Sequence, residues 1–407
     1  MISFTSFLTE EAAEEGGQLK HIHHAEDRPL MHGHAGFEHA YGALQQAHEH
    51  IKQGHKSSNL TMKYDGSPSI VFGHHPHTGK FFVASKSAFN KNPKINYSEK
   101  DIDKNHGHAP GLVKTLKHAL KHLPKVTPKH GVYQGDVMHH AETKTLKEEH
   151  LFEAAKNKVS FTPNTITYTA HGDEAKKIKK SKIGVVVHQK YSDDMKHASP
   201  HVDHHNFKEH PDVHIHGAEH DTSKVHHSPE NEHEFHKHMA AAKEIHDTHG
   251  HKMYAAVHHA HSGEAGHLST YINHTVRHDE VPSVKGFQAH LYSEHEKKAS
   301  KVKSDKSKAE KRLEGEHQIK HVEKNKAAYG HLFSMHHHLH QAKNALVKSL
   351  ETHEGRYEHH IEGKKSKPEG FVLHHEHEGK HEPSKLVNRA EFAKANLLKV
   401  RKPAKEE

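Results

Sequence analysis

The chain has 407 residues, a formal charge of +7 with histidine neutral, 60 histidines, no cysteine, no tryptophan and only 32% hydrophobic residues. At roughly 150 residues per domain this length holds two or three domains, and the lean apolar fraction suits a compact domain with charged, solvent-facing helices better than one large globule. The cysteine count excludes disulfides, zinc ribbons and thiol catalysis, and no apolar run approaches the roughly 18 residues of a membrane span or the pattern of a signal peptide.

A cytoplasmic protein with no membrane partner is therefore expected. With an unperturbed pKa of about 6.5, half of the histidines would be charged near that pH, adding on the order of +30. They are spread over the whole chain, so they are expected to replace other polar residues across a solvated surface.

Along the chain, Phe37, Tyr41, Leu44, Ala47 and Ile51 share one helical face, and Gly54 stops that helix. From Leu60 the pattern changes to short strands. Ser69 to Gly73, a turn at His75-Pro-His-Thr-Gly79 and Lys80 to Ala84 read as a hairpin. Leu112, Val113, Leu116, Ala119, Leu120 and Leu123 mark a helix closed by Pro124. Gly131 to Met138, Thr165 to Thr169 and Ile183 to His188 are further strands. Residues 192–230 read as a long loop and 231–360 as helical, with Phe235, Met239, Ala242 and Ile245 on one helix and Met335, Leu339, Ala342, Leu346 and Leu350 on another. Ser293 to Lys326 is densely charged, either an extended solvent-facing helix or disordered. Strand-like text returns at Glu369-Gly-Phe-Val-Leu and Ser384-Lys-Leu-Val-Asn.

Chemistry concentrates at Lys63-Tyr-Asp-Gly66, between two strands. A lysine nucleophile is hard to make at neutral pH, because deprotonation from a reference pKa of about 10.4 costs roughly 4 to 5 kcal/mol. Nearby cations lower that cost and also neutralise phosphates. Asp65 would orient such a site, and Gly66 would let backbone approach a ligand closely.

This segment resembles motif I of the covalent nucleotidyltransferases, the superfamily of ATP-dependent DNA and RNA ligases and messenger-RNA capping enzymes. The other motifs follow in that family's order. Ser85-Lys86-Ser87 is similar to motif Ia, with lysine where arginine is usual, and Tyr133-Gln-Gly-Asp136-Val to motif III, with aspartate where glutamate is usual. Lys182 to His188 stands where motif IIIa belongs, with His188 or Tyr191 as the base-stacking aromatic. Glu369-Gly-Phe-Val372 resembles motif IV and Lys385-Leu-Val-Asn388-Arg389 motif V. The flow from K-x-D-G-x-P to E-G-F-V and K-L-V-x-R is also similar to that of uncharacterised proteins of large tailed phages, which implies a phage origin and a host cytoplasm.

The resemblance implies an α+β fold: an antiparallel-sheet nucleotidyltransferase (ligase adenylation) domain with an N-terminal helical lead and a large helical insertion. The expected organisation is a helical segment at 1–56, the nucleotidyltransferase domain at 57–191 and 366–407, and a His/Lys-rich helical insertion at 192–365. It implies ATP and Mg2+ as cofactors, Lys63 as the residue that takes AMP, Asp65 and Lys385 as further catalytic residues, and Glu369 as metal ligand and nucleotide contact. Asp136 would bond the ribose, His188 the base, and Lys86, Lys385 and Arg389 the phosphates. The partner would be a nucleic-acid end, RNA more than DNA because no room for an OB domain follows Lys385. The lysines around Lys297 to Lys326 would take over its grip on phosphate.

Two further classes stay open: a capping-type or end-modifying nucleotidyltransferase, and a non-enzymatic histidine-rich protein binding nucleic acid or metal. His336-His-His338 with His340, His258-His259 with His261, and His21 with His23-His24 invite a metal reading, but so many histidines make such runs by chance, and none is taken as a site. No G-x-S-x-G marks a hydrolase.

Overall fold

The computed structural model describes residues 23–141, 158–193, 195, 197–258, 264–278, 280–377 and 380–389. His21, His259, His261 and the segment after Arg389 lie outside the described residues. The protein divides into two compact units, each built from separate stretches of chain. The described part opens in the second unit with strand β1 (His23–His24) and helix α1 (Arg28–Gln53).

From Gly54 the chain builds the first unit: β2 (Lys56–Met62), β3 (Ser69–His74), β4 (Phe81–Ala84), α2 (Glu99–His106), α3 (Pro110–His122), β5 (Gly131–His140), β6 (Lys158–Phe161), β7 (Thr167–His171), α4 (Gly172–Lys180), β8 (Ile183–Tyr191), and the short strands β9 (Ala198–Ser199), β10 (Val213–Gly217) and β11 (Glu219–Asp221). The second unit then gains helices α5 (Pro229–His258), α6 (Glu264–His278), α7 (Val284–Ser300), α8 (Asp305–Lys324) and α9 (Lys326–Leu350). Strands β12 (Glu358–Ile361), β13 (Lys364–Ser366) and β14 (Gly370–His377) up to His374 return to the first unit, and β15 (Lys380–Val387) belongs to the second. The architecture is mixed α/β with largely antiparallel sheets.

In the first unit one sheet runs β10-β8-β5-β3-β4. The expected hairpin is there, Val71 opposite Ala84 and Phe72 opposite Val83. Alternation along the strands sends Ile70, Phe72, Tyr133, Val137, Ile183, Val185 and Val187 to one face, where Ile102 of α2 and Leu116, Ala119 and Leu123 of the α3 end cover them. Burial of such side chains contributes about 25 cal/mol per Å² of apolar surface, the main support of the unit. Val71, Phe82, Val132 and Tyr191 point to the opposite face. A second sheet, β13-β12-β7-β6, is antiparallel. Strand β2 pairs with β14 and β11, both antiparallel.

The segment expected as a loop at 192–230 contains β9, β10 and β11, with β10 parallel to β8 (Val213 opposite Ile183). Alternation in Val213-His-Ile-His-Gly217 was hidden because histidine reads as polar. Here His214 and His216 are buried, with His214 Nε2 3.1 Å from Glu174 and His216 Nε2 2.7 Å from the Tyr357 hydroxyl. A buried polar ring with a hydrogen-bond partner sits inside a protein at small cost.

In the second unit α5 and α9 pack together, and α1 lies against both. Its apolar face is the expected one, with Phe37, Leu44, Ala47 and Ile51 buried. Gly33, at φ 56°, kinks α1 near its start, a conformation glycine adopts without penalty. The charged stretch 293–326 forms the helical hairpin α7–α8, where His295 is buried and bonds Gln318 (2.9 Å) and the Lys311 carbonyl (3.1 Å). Fully buried Lys343 on α9 donates to Glu26 (2.9 Å) and to the Val387 carbonyl (2.8 Å). His336 and His340, from the run singled out in the sequence, bond Asp27 (2.9 Å) and Glu26 (3.2 Å) in the same network. Those imidazoles serve the packing of α9. Among the described residues no helix is long and apolar enough to cross a membrane.

A part of the described histidines, His139 and His359 among them, is interior, while the others lie at or near the surface as expected. Burial pushes His139 and His24 down to about 3, and His359 and His340 down to about 4. These groups stay neutral in the folded protein and gain protons near pH 6.5 once unfolded. Their folded values are depressed, so their stabilisation is complete above pH 6.5 and is lost as pH falls toward 4. At pH 5 each costs about 2 kcal/mol by linkage. Chemical denaturation at pH 7.5 and pH 5 should therefore show a drop of several kcal/mol, against a typical total of about 5–15 kcal/mol. A stability that is flat between those two values would contradict the neutral state of these rings in the folded protein.

Candidate functional site

Lys63 and Glu369 are 306 positions apart in the chain and adjacent in the first unit. Met62 ends β2 opposite Phe371 near the start of β14, and the Lys63 amide donates to the Gly370 carbonyl (2.8 Å). That register leaves the two residues facing each other just beyond the strand ends. The Lys63 ammonium donates to a Glu369 carboxylate oxygen, and both side chains are only partly exposed, 27% and 17%.

The rest of the Lys63–Gly66 turn is held by protein neighbours. Tyr64 is buried among Tyr168, His216 and Tyr357, with ring centroids at 5.8 to 6.0 Å, and burial raises its phenol. The Asp65 amide donates to the Tyr168 hydroxyl (2.6 Å). Its carboxylate accepts from Asn164 Nδ2 (2.8 Å) and from the amides of Thr165 (2.6 Å) and Ile166 (3.0 Å). Asp65 therefore anchors the turn that leads into β7. A Cβ on Gly66 would lie 2.5 Å from the Asp136 Cβ, so glycine is required by the approach of β5 itself.

Asp136 stands on β5 opposite Ser69 of β3, on the face away from α2 and α3. Its oxygen is 3.5 Å from His188 Nε2. Burial works to raise the Asp136 carboxyl, but His188, a hydrogen bond with Ser69 and the nearby Lys63 ammonium outweigh it and hold the group below its ordinary value. His188 owes its direction to an irregularity in the β5–β8 ladder: Gly135 pairs with Val187 and Gln134 with Gln189, leaving His188 as the extra residue. Next along this face, Gln134 Nε2 donates to Ser69 (3.2 Å) and the Tyr191 hydroxyl donates to Gln134 Oε1 (2.5 Å). Of the two rings read as base-stacking candidates, Tyr191 is buried in the core and His188 is partly open.

Lys86 is exposed at the start of a short 3-10 turn capped by Ser85. Lys385 and Arg389 belong to the second unit. Lys385 sits on β15 opposite His24 of β1. The buried Arg389 guanidinium donates to both Asp27 oxygens (2.8 and 2.9 Å) and to Asn273 (2.7 Å). The structure thus brings Lys63, Glu369 and Asp136 together with His188 in one unit. Ser69 and Gln134 were not singled out in the sequence; their alternation with the core positions of β3 and β5 was the available signal. A cavity of about 450 Å³ is lined by residues including Ser67, Pro68, Thr115, Met138 and His140, and does not include Lys63.

The chain belongs to a family of unknown function, DUF6267, whose model matches residues 19–401. No curated protein and no solved structure matches it.

Replacing Asp65 with alanine removes the acceptor of three hydrogen bonds, two of them from backbone amides. Bonds to a charged group contribute about 1.5–3 kcal/mol each and are not additive. Urea denaturation of Asp65→Ala should show a loss of about 2–4 kcal/mol, within the range for a broken buried network. A loss under about 0.5 kcal/mol would show that the turn does not depend on it.

Proposed function

We propose that this protein is an ATP-dependent polynucleotide ligase, joining RNA ends through a lysyl-AMP intermediate on Lys63. The observation that carries the reading is the pairing of Lys63 with Glu369, the two residues whose motifs stand at opposite ends of the sequence resemblance. On this reading the β3-β5-β8 sheet and the β2–β14 pair are the antiparallel framework of a nucleotidyltransferase domain.

The Lys63 nitrogen attacks the α-phosphorus of ATP. The N–P bond forms as the bond to the bridging oxygen breaks and pyrophosphate leaves. The lysine proton leaves through Glu369, the carboxylate already bonded to it. Asp136, held ionised, accepts from a ribose hydroxyl, and His188 beside it meets the base. The AMP then passes to a 5′-phosphate, and a 3′-hydroxyl displaces it.

The donor set suits Mg2+, which takes hard carboxylate oxygens such as those of Glu369. Mg2+ held there supplies positive charge that neutralises phosphate oxygens. Lys86 is a phosphate contact of the same proposal, exposed and free to swing as a point charge. The parts of Lys385 and Arg389 rest on their motif alone, and Arg389 would have to keep its bonds to Asp27 while acting. The nucleic acid is assigned to the lysines of α7 and α8. Several of these pair with nearby carboxylates, as Lys297 does with Glu294 and Lys308 with Asp305. Such exposed pairs are worth under about 1 kcal/mol and yield readily to phosphate.

Incubation with α-labelled ATP and Mg2+, followed by denaturing electrophoresis, should label the protein. Lys63→Ala should abolish the label, and Glu369→Gln should slow its appearance by about a hundredfold or more. Label from GTP alone would move the reading to a capping-type enzyme. No label from either nucleotide, with protein free of prior adduct, would leave a binding protein.

A further inference from the structure

The second unit carries a cluster of three imidazoles around one carboxylate that the proposed reaction does not use. Glu232 and His236 lie one turn apart on α5, His48 comes from the last turns of α1, and His227 precedes α5. Glu232 Oε2 is 2.6 Å from His48 Nε2 and 2.5 Å from His227 Nε2, and its Oε1 is 3.0 Å from His236 Nε2. Donor atoms of His48, Glu232 and His236 all lie within 4.8 Å of one another. A tetrahedral zinc ion, with bonds of about 2.0–2.2 Å, needs its ligand atoms about 3.3 Å apart. His48, Glu232 and His236 thus stand near that spacing, and His227 adjoins the group through its contact with Glu232.

The surroundings orient the rings as ligands. Ser349 Oγ accepts from Asn231 Nδ2 (3.0 Å) and lies 2.7 Å from His227 Nδ1, a hydrogen bond that fixes that ring's orientation. His227 Nε2 lies 2.5 Å from Glu232 Oε2. His48 is fixed by stacking on Phe235, with centroids 4.5 Å apart. Glu232 thus receives all three imidazoles on one carboxylate.

We propose that His48, His227, His236 and Glu232 form a closed four-ligand site for a divalent transition metal, zinc by its donor set, that clips the start of α5 to the end of α1. Three nitrogen donors and one oxygen, with no water position required, make a structural site rather than a catalytic one. Hard cations such as Mg2+ disfavour imidazole and are excluded by the same donors. The site is independent of the ligase reading and stands or falls without it.

The test is titration of the full-length, metal-stripped protein with Co2+ at pH 7.5. Weak binding by the many other histidines gives octahedral, pale spectra. The first equivalent should instead give the intense visible bands of tetrahedral cobalt, bleached by one equivalent of Zn2+, and Zn2+ should raise the melting temperature. His236→Ala, at a largely exposed side chain (60%), should fold as wild type by circular dichroism and weaken that first equivalent more than about tenfold. His34→Ala, in the separate His34, Glu38 and His246 group, should leave it unchanged. Octahedral spectra alone, or a tight first equivalent lost in His34→Ala and kept in His236→Ala, would overturn the proposal.

Discussion

The candidate site of the first unit depends on one antiparallel register, Met62 of β2 against Phe371 of β14. A slip by one residue would turn every side chain of β14 to the other face and take Glu369 away from Lys63. From this pairing follow the exit direction of the Lys63–Gly66 turn and the seat of Gly66 against Asp136. Asp65 then locks the turn to residues 164–166, so the position of Lys63 is fixed from both sides. Closing so long a loop is less demanding than it looks. Loop-closure entropy grows only logarithmically, about 0.6 kcal/mol per doubling. A whole helical unit can therefore stand between the two halves of the site without much cost to their meeting.

Histidine is the second constraint on this protein. With few apolar residues available, imidazole takes places that aromatic rings usually fill. His246 stacks on Phe37 at 3.8 Å, His48 on Phe235 at 4.5 Å and His249 on His331 at 3.7 Å. A neutral ring adds dispersion contacts and can also satisfy a buried donor or acceptor, as His216 does with Tyr357 and His295 with Gln318. The same ring becomes a liability in acid, since a buried imidazolium needs a counter-charge. Glu26, Asp27, Glu174 and Glu232 supply negative charge next to several of these rings.

Strand and helix periodicity made much of the fold legible. The β3–β4 hairpin, β5, β8, α3, α5 and α9 lie where apolar spacing puts them. What stayed hidden was hidden by histidine: Val213 to Gly217 alternates correctly, yet its inward imidazoles make it read as polar loop. Lys63, Glu369 and Asp136 could be named because each sits in a short local motif. Their mutual distance could not be read, since it follows from strand pairing across the inserted helices. The roles of Asp65 and Gly66 toward their protein neighbours were also out of reach, because Asn164, Thr165 and Asp136 are distant in sequence. For the His48, His227, His236 and Glu232 cluster, only the four-residue spacing of Glu232 and His236 was visible; His48 lies on α1 and His227 in the segment before α5.

The most direct measurement of the central claim is peptide mapping by mass spectrometry after incubation of the intact protein with ATP and Mg2+. The account predicts a mass increase of one AMP, labile to acid as a phosphoramidate is, on the peptide containing Lys63 and on no other. AMP attached at a different residue, or no adduct while the protein demonstrably binds ATP, would contradict Lys63 as the nucleophile paired with Glu369.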